Sequence, residues 1–410
     1  MNIKKLLIIV VLFTFIVITI SSITQKNNPK VVKPEEDIYE SINLFTNILY
    51  EVKQSYYKDI SFTTLINYAI EGMLEKLDPY SSYLKAEDFE SLNSYTNGEL
   101  YGLGIQYFKN KNNMIEILHV IDNSPAKKVG ILSGDILLSI NNKPVSYLGV
   151  VEVSHILQEK DTNIKLELAH RNNHLYHTTL NKEKIKIDDI STKKYDDILY
   201  IKIPTFNKNT ATDLQQNINK NKNMNALILD LRNNGGGLFN QAIETADLFL
   251  DNKMIAKLEN TNNANQEVFM ANAGDILNTK PIVVLIDDAT ASSSEILAGS
   301  LQENRRAIVV GTKSFGKGVV QDILSLGNGD YIKLTTSQYV LPSNKQVDNI
   351  GIMPDIIIYK NGDTCTKCSE EQLQNMKEQE NIFILENTDY QDYQLNKALE
   401  ILQIELTKKD

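Results

Sequence analysis

Three short stretches of this chain concentrate side chains able to break an acyl bond. The first follows the apolar run Pro281-Ile-Val-Val-Leu-Ile286. It reads Asp287-Asp288-Ala289-Thr290-Ala291-Ser292-Ser293-Ser294-Glu295 and leads into an apolar helical pattern. Ser292 with Glu295 three residues on has the spacing of a capping box, in which the serine oxygen accepts an orphan helix amide and the glutamate reaches back. A serine at a strand-to-helix turn is also where a nucleophile is held exposed, and the helix N-terminus favours negative charge developing there. The two uses need different directions of one hydroxyl, and the local sequence leaves both open.

The second stretch is Gly311-Thr312-Lys313-Ser314-Phe315-Gly316-Lys317-Gly318. It matches most of the phosphate-cradling GxxxxGK[ST] pattern, which would make the chain a nucleotide hydrolase. Gly318 stands where the magnesium-binding hydroxyl belongs, and VVQDILSLGNGDYIKLTT follows with the pattern of a hairpin. A phosphate site needs a helix N-terminus there. Lys317 has another use. A lysine is ordinarily a solvated surface charge, but glycines on both sides permit close backbone approach, and an amine in an apolar pocket gives up its proton easily enough to act as a general base toward a serine. The third stretch, Asp230-Leu231-Arg232-Asn233-Asn234-Gly235-Gly236-Gly237, follows the apolar run NALIL. Its glycines make either a flexible turn or a set of amide donors for an oxyanion hole.

The other chemistries of hydrolysis are excluded by where the histidines lie. All five, His119, His155, His170, His174 and His177, precede Lys182, so the α/β pattern that carries the three stretches has none. It cannot assemble a Ser-His-Asp triad, a Cys-His pair or an HExxH zinc site from its own residues. No metal or organic cofactor is required by the groups that remain. The net charge of -10 argues against a nucleic-acid partner, which needs a basic stripe to displace counterions.

These groups need elements to position them. A hydrophobic content of 42% in 410 residues gives room for two or three core-burying domains. Lys4 and Lys5 precede an uncharged stretch from Leu6 to Ile23, which at ~1.5 Å per residue reaches about 27 Å, enough to cross a thin bilayer core. Residues 1–25 therefore read as a membrane anchor or signal sequence. The absence of an A-x-A-like cleavage site favours an uncleaved anchor, with the short basic N-terminus cytoplasmic and the rest outside. Residues 26–98 read as a polar linker followed by an N-terminal helical region from Ile38 to Leu77, ended by Asp78-Pro79. Residues 99–181 form a small β-rich module with one helix at Val150–Gln158. Residues 182–360 carry strand candidates ILYIKIP, NALILDL, PIVVLI, AIVVG and YIKLTT separated by helical stretches. Residues 361–410 look helical and polar, with no role assigned. Cys365 and Cys368 are compatible with a local disulfide or with two inert thiols.

Taken together, SSSEILAG, GTKSFGKGVVQ and DLRNNGGG resemble the nucleophile, lysine and glycine-loop segments of the C-terminal processing (tail-specific) proteases, serine/lysine peptidases with a PDZ domain. The family's second nucleophile-segment residue is usually alanine, and here it is Ser293. GMLEKLDPYSSYL is similar to another family segment, with Tyr80 where histidine is common. YGLGI and SPAKKVGILSGDILLSINNKPV are similar to the carboxylate-binding loop and core of PDZ domains. The resemblance implies a multidomain α/β fold: an α/β serine protease core, an all-β PDZ domain, and helical N-terminal and C-terminal segments. It implies Ser292 as nucleophile, Lys317 as general base, Gln321 as the group that orients the lysine, and the amides of Gly237 and Ser293 as the oxyanion hole. It also implies that Leu103, Gly104 and Ile105 capture C-terminal tails of protein substrates by strand addition. The partners expected are such substrates, the membrane through the anchor, and a second copy or an activating adaptor. The other reading left open is a PDZ adaptor with a non-cutting protease domain.

Overall fold

The computed structural model describes residues 38–408 apart from 97–98, 111, 149, 159–162, 171–173, 187–189, 261–265, 366–367 and 387–390. The apolar Leu6–Ile23 stretch lies outside the described residues. Among the described residues, no helix is long and apolar enough to cross a membrane.

The chain divides into a first unit that ends at Ala69 and a second from Ile70 to Asp410. In the first, helix α1 (Ile38–Ser55) leads through a turn to the start of helix α2 (Phe62–Leu77), and the rings of Tyr50 and Phe62 pack edge-on at 5.1 Å. Ile38, Ile42, Leu44 and Ile48 of α1 are exposed.

The second unit opens with strand β1 (Ser82–Leu84) and helix α3 (Ala86–Thr96). The β-rich module is entered through β2 (Glu99–Gly102). Its sheet comprises β3 (Ile105–Lys109), β4 (Ile115–Val120), β5 (Ile136–Ile140), β6 (Lys143–Pro144), β7 (Asn163–Ala169) and β8 (Leu175–Asn181), with helices α4 (Pro125–Lys128) and α5 (Val150–Gln158). The chain leaves through β9 (Glu183–Lys186), which pairs with β2, so entry and exit form one two-stranded ribbon. Alternation along β7 buries Ile164, Leu166 and Leu168 and turns Asn163 and Lys165 outward, as expected of a sheet with one face on a core.

The remainder builds a seven-stranded sheet from β10 (Ser191–Tyr195), β11 (Ile198–Lys202), β12 (Ala226–Asp230), β15 (Ile282–Ile286), β16 (Ile308–Gly311), β19 (Ile356–Ile358) and β20 (Thr364–Cys365), in that order. From β11 to β19 the pairing is parallel. Parallel strands are covered on both faces, which is why β12 and β15 are buried at every position and read as continuous apolar runs. One face is covered by helices α6 (Thr210–Lys220), α7 (Phe239–Asp247) and α8 (Ser293–Glu303). A five-stranded sheet joins β1 to β13 (Met254–Glu259), β14 (Glu267–Met270), β17 (Val319–Ser325) and β18 (Tyr331–Val340).

The opposite face of the seven-stranded sheet is covered by the C-terminal segment, for which the sequence offered no role. Helix α9 (Glu370–Glu386) is followed by α10 (Tyr393–Thr407), whose Ala398 and Leu402 are buried against Ile198, Ile228, Val283, Leu285 and Val310. Arg232 fixes the start of α10: it donates to both carboxylate oxygens of Asp392 at 2.8 and 2.9 Å while also holding Asp230. Cys365 and Cys368 form a disulfide between β20 and the approach to α9.

Candidate active site

The three reactive stretches leave the carboxyl ends of three neighbouring strands. The glycine loop follows β12, the serine turn follows β15 and the lysine loop follows β16. With β15 between the other two, the serine turn is flanked by the other two stretches at the end of the sheet where open α/β folds place their ligands. The chain after Lys317 is the β17–β18 hairpin, not a helix, which removes the nucleotide-hydrolase reading.

Ser292 stands at the head of α8 with φ +56° and ψ -117°, a conformation few residues other than glycine adopt. The glutamate half of the capping box is present: Glu295 Oε2 accepts the Ser292 amide at 2.8 Å. The amide of Glu295 in turn donates to the Ser292 backbone carbonyl at 2.8 Å, so it does not depend on the hydroxyl.

Glu295 does more than cap. Its other oxygen accepts the Ser314 hydroxyl and the Gly316 amide (2.7 Å), and Oε2 also takes the Lys317 amide at 2.9 Å. Burial raises its pKa, and the four donors oppose that shift. Nothing in the sequence marks this second role, because Ser314 and Gly316 lie far along the chain. Tyr339, buried on β18, donates its hydroxyl to the Lys317 carbonyl at 2.9 Å and lies 3.4 Å from the Ser292 carbonyl. One carboxylate and one phenol thus bridge the serine turn and the lysine loop.

The Lys317 amine lies 4.7 Å from the centre of the Tyr80 ring. Burial pulls its pKa down to about 7, helped by the charge of Lys333 and opposed by Glu295 and Asp78. Gln321 donates to Thr335 Oγ1 at 3.3 Å. Among the described residues, no hydrogen bond joins the Ser292 hydroxyl, the Lys317 amine and the Gln321 amide in this conformation.

The glycine loop lies against the serine turn. A Cβ on Gly236 would fall 2.9 Å from Ser292 Cβ and from the Ala291 carbonyl oxygen, and the Gly236 φ of +100° is itself a glycine conformation. The Ala291 amide and the Ser294 hydroxyl both donate to the Asn234 carbonyl at 3.0 Å, and the Ser293 hydroxyl donates to the Gly237 carbonyl at 3.0 Å. The amides of Gly237 and Ser293 donate to no group among the described residues.

The β-rich module meets two of these loops. Phe108 of β3 packs edge-on against Phe315 at 5.2 Å, two residues before Lys317. Asn233 donates to the Val120 carbonyl (3.1 Å) and to Asp122 (3.2 Å), whose other oxygen holds Lys202 at 2.7 Å. A Cβ on Gly235 would meet Gln106 Oε1 at 2.9 Å and His119 Cβ at 3.2 Å. His119 thus reaches in from the module, but it meets the glycine loop, and burial lowers its pKa to about 4. At the module's far loop, the Leu103 and Gly104 carbonyls are taken by the Ala126 and Ile121 amides. The Leu103 and Gly104 amides donate to no group among the described residues.

Family models match three parts of the chain: "Peptidase family S41" over residues 197–358, "PDZ domain" over 116–169, and "Activating protease CtpB N-terminal domain" over 9–88. The β-rich module is therefore a PDZ domain in front of a peptidase core. The chain belongs to the C-terminal processing proteases of peptidase family S41, serine-type peptidases that carry a PDZ domain. It is 34% identical over 413 residues to a carboxy-terminal-processing protease of Bartonella bacilliformis, covering 96% of this chain and 93% of that one. It is also 34% identical over 312 residues to the carboxy-terminal processing protease CtpA of Bacillus subtilis, covering 75% and 66%. Among solved structures, the photosystem II D1 C-terminal processing protease aligns with TM-score 0.64 and 25% identity, covering 77% of this chain and 92% of that one.

Proposed function

We propose that this chain is an endopeptidase that cuts extracytoplasmic proteins near their C-termini with a Ser292/Lys317 dyad. The observation that supports the reading is that the positive-φ Ser292 and the Lys317 loop, whose amine has its pKa pulled down to about 7, are clasped by one carboxylate, Glu295, beside two amides without acceptors among the described residues. Ser292 Oγ attacks the peptide carbonyl carbon and the Lys317 amine takes the hydroxyl proton. The oxyanion is met by the Gly237 and Ser293 amides. Collapse of the tetrahedral intermediate breaks the C–N bond, and Lys317 gives its proton to the leaving amine. Water then releases the acyl group by the same path. In the catalytic arrangement Gln321 turns from Thr335 to orient the lysine.

The PDZ domain engages substrate tails through the free amides of the Leu103–Ile105 loop. Its occupancy gates the site, since Phe108 and Asn233 tie the domain to the lysine and glycine loops. The Leu6–Ile23 stretch serves as a single-pass anchor that keeps the catalytic unit outside the cytoplasm.

The test is cleavage of fluorescein-labelled β-casein by wild type, Ser292→Ala and Lys317→Ala. Both variants are expected to lose activity with unchanged circular dichroism. Wild-type kcat/KM should rise with pH through about 7, because only the free amine can accept the serine proton and burial has brought its pKa there. A Ser292→Ala protein that still cleaves would sink the dyad. An inert wild type, with peptide tails still bound by the PDZ domain, would favour the adaptor.

A further inference from the structure

A second buried carboxylate joins two of the reactive stretches, and the cation that balances it comes from the C-terminal side of the chain. Asp287 is the first residue after β15. Its Oδ1 accepts the Asn233 amide of the glycine loop at 2.9 Å and the Ala289 amide of the serine turn at 3.2 Å. Its own amide donates to Thr290 Oγ1 at 2.9 Å, and that hydroxyl donates to the Leu231 carbonyl at 2.9 Å. The serine turn thus accepts from the glycine stretch at Asp287 and donates to it at Thr290. Gly237 lies four residues beyond Asn233 and Ser293 three beyond Thr290, so these two bridges set the register between the loops that carry the oxyanion amides.

The other oxygen of Asp287 faces Lys360, whose amine lies 3.2 Å away. The two side chains are 4% and 25% exposed, so this is an enclosed pair and not a solvated surface contact. Lys360 follows β19 and is itself held by helix α9: its amide donates to the buried Glu380, and the Tyr359 hydroxyl before it donates to the Leu373 carbonyl at 3.1 Å. Lys377 of the same helix pairs with Asp288, the next residue of the serine turn, at 3.5 Å.

We propose that Lys360 is a positioning residue for this reaction: as the counter-ion that lets Asp287 stay charged beside the serine turn, it holds the glycine loop and the head of α8 in the register that the oxyanion amides need. This role rests on the Ser292/Lys317 reading and on its oxyanion hole at Gly237 and Ser293. A buried carboxylate without its cation either takes up a proton or moves toward water. Both responses weaken its bonds to the Asn233 and Ala289 amides, because an ionised acceptor holds an amide more strongly than a neutral one. Oxyanion donors act only at the right distance from the developing charge, so a small shift of one loop slows the chemical step and leaves substrate binding in place. The C-terminal segment then does more than cover the sheet, since α9 seats the lysine that steadies the serine turn.

The test is steady-state cleavage of labelled β-casein by the full chain in mild detergent, comparing wild type, Lys360→Met, Lys360→Arg and the double variant Asp287→Asn/Lys360→Met. Lys360→Met is expected to lower kcat by about tenfold with KM within about twofold. Lys360→Arg, which keeps the charge, should stay within about threefold of wild type. The double variant should recover most of the loss, because a neutral amide still offers an acceptor to Asn233 and needs no counter-ion. Lys397→Met, a surface lysine of α10 paired with Glu400, is the control and should match wild type. A Lys360→Met enzyme within twofold of wild-type kcat overturns the inference and leaves the dyad intact, as does a double variant no faster than Lys360→Met. If Ser292→Ala cleaves as well as wild type, the dyad reading itself fails. Should the Met variant melt at assay temperature, Lys360→Gln supplies the same comparison with a polar head group.

Discussion

Glu295 shows why substituting one atom should disable this site. Oε1 accepts from Ser314 and Gly316, Oε2 from the amides of Ser292 and Lys317, so both oxygens face donors only. A glutamine in either orientation sets its own NH2 against one of those pairs, leaving amide protons buried and opposed. Hydrogen bonds to a charged acceptor contribute about 1.5–3 kcal/mol each, so loss of a pair exceeds a tenfold change in rate if it misaligns the loops. Glu295→Gln is expected to lower kcat by more than about tenfold with little change in KM. Tyr339→Phe, which removes one neutral hydroxyl bond worth about 1 kcal/mol, should cost less than Glu295→Gln. Kinetics beside thermal melts would decide it, and an E295Q enzyme within twofold of wild type would show that the carboxylate does not hold the loops. The roles of Ser292 and Lys317 could be proposed from sequence as what the family resemblance implies. The clasp could not, since a capping glutamate looks the same in sequence whether or not a distant loop folds onto its second oxygen.

At the scale of elements, local pattern worked where burial is two-sided. The runs NALIL, PIVVLI and AIVV became β12, β15 and β16, and Val150–Gln158 and Ser293–Glu303 are helices. The pattern was silent for β13, where MIAKLE mixes buried and half-exposed positions, and for β1, which has three residues and owes its existence to β18. The C-terminal helices were readable as helices, yet a polar helix does not announce which sheet face it covers. Helix α10 covers the one opposite α6, α7 and α8. Leu402 is 1% exposed and packs among β-strand side chains. Truncating such a leucine removes transfer energy and leaves a cavity, a loss of about 2–5 kcal/mol. Leu402→Ala should therefore lower the denaturant midpoint by that equivalent, while kcat at a permissive temperature stays near wild type, because α10 meets the glycine-loop stretch at its start, where Asp392 and Gln394 accept from Arg232, and Leu402 lies eight residues further on. An unchanged midpoint in urea would mean that the C-terminal segment is a dispensable appendage and not a layer of the core.

For the whole molecule, the open question is where this unit works. Its PDZ domain and peptidase core are joined through Phe108–Phe315 and Asn233–Val120, the contacts through which we propose that tail capture at Leu103–Ile105 is linked to cleavage at Ser292. Such a device acts on proteins presented with free C-termini, and its setting decides which ones it meets. The Cys365–Cys368 disulfide suits an oxidising compartment beyond the cytoplasm. The Leu6–Ile23 stretch behind Lys4 and Lys5 suits retention at the membrane with the basic end inside. Full-length chain is thus expected to sediment with membranes and to resist alkaline carbonate extraction. A chain starting after Lys33 should appear in the soluble fraction with its β-casein cleavage intact, because none of the residues in the site precedes Asp78. Protease added to spheroplasts should degrade the folded unit without lysis. Full-length chain released by carbonate would sink the anchor, and a chain shielded until lysis would invert the orientation and restrict the substrates to proteins of the cytoplasm.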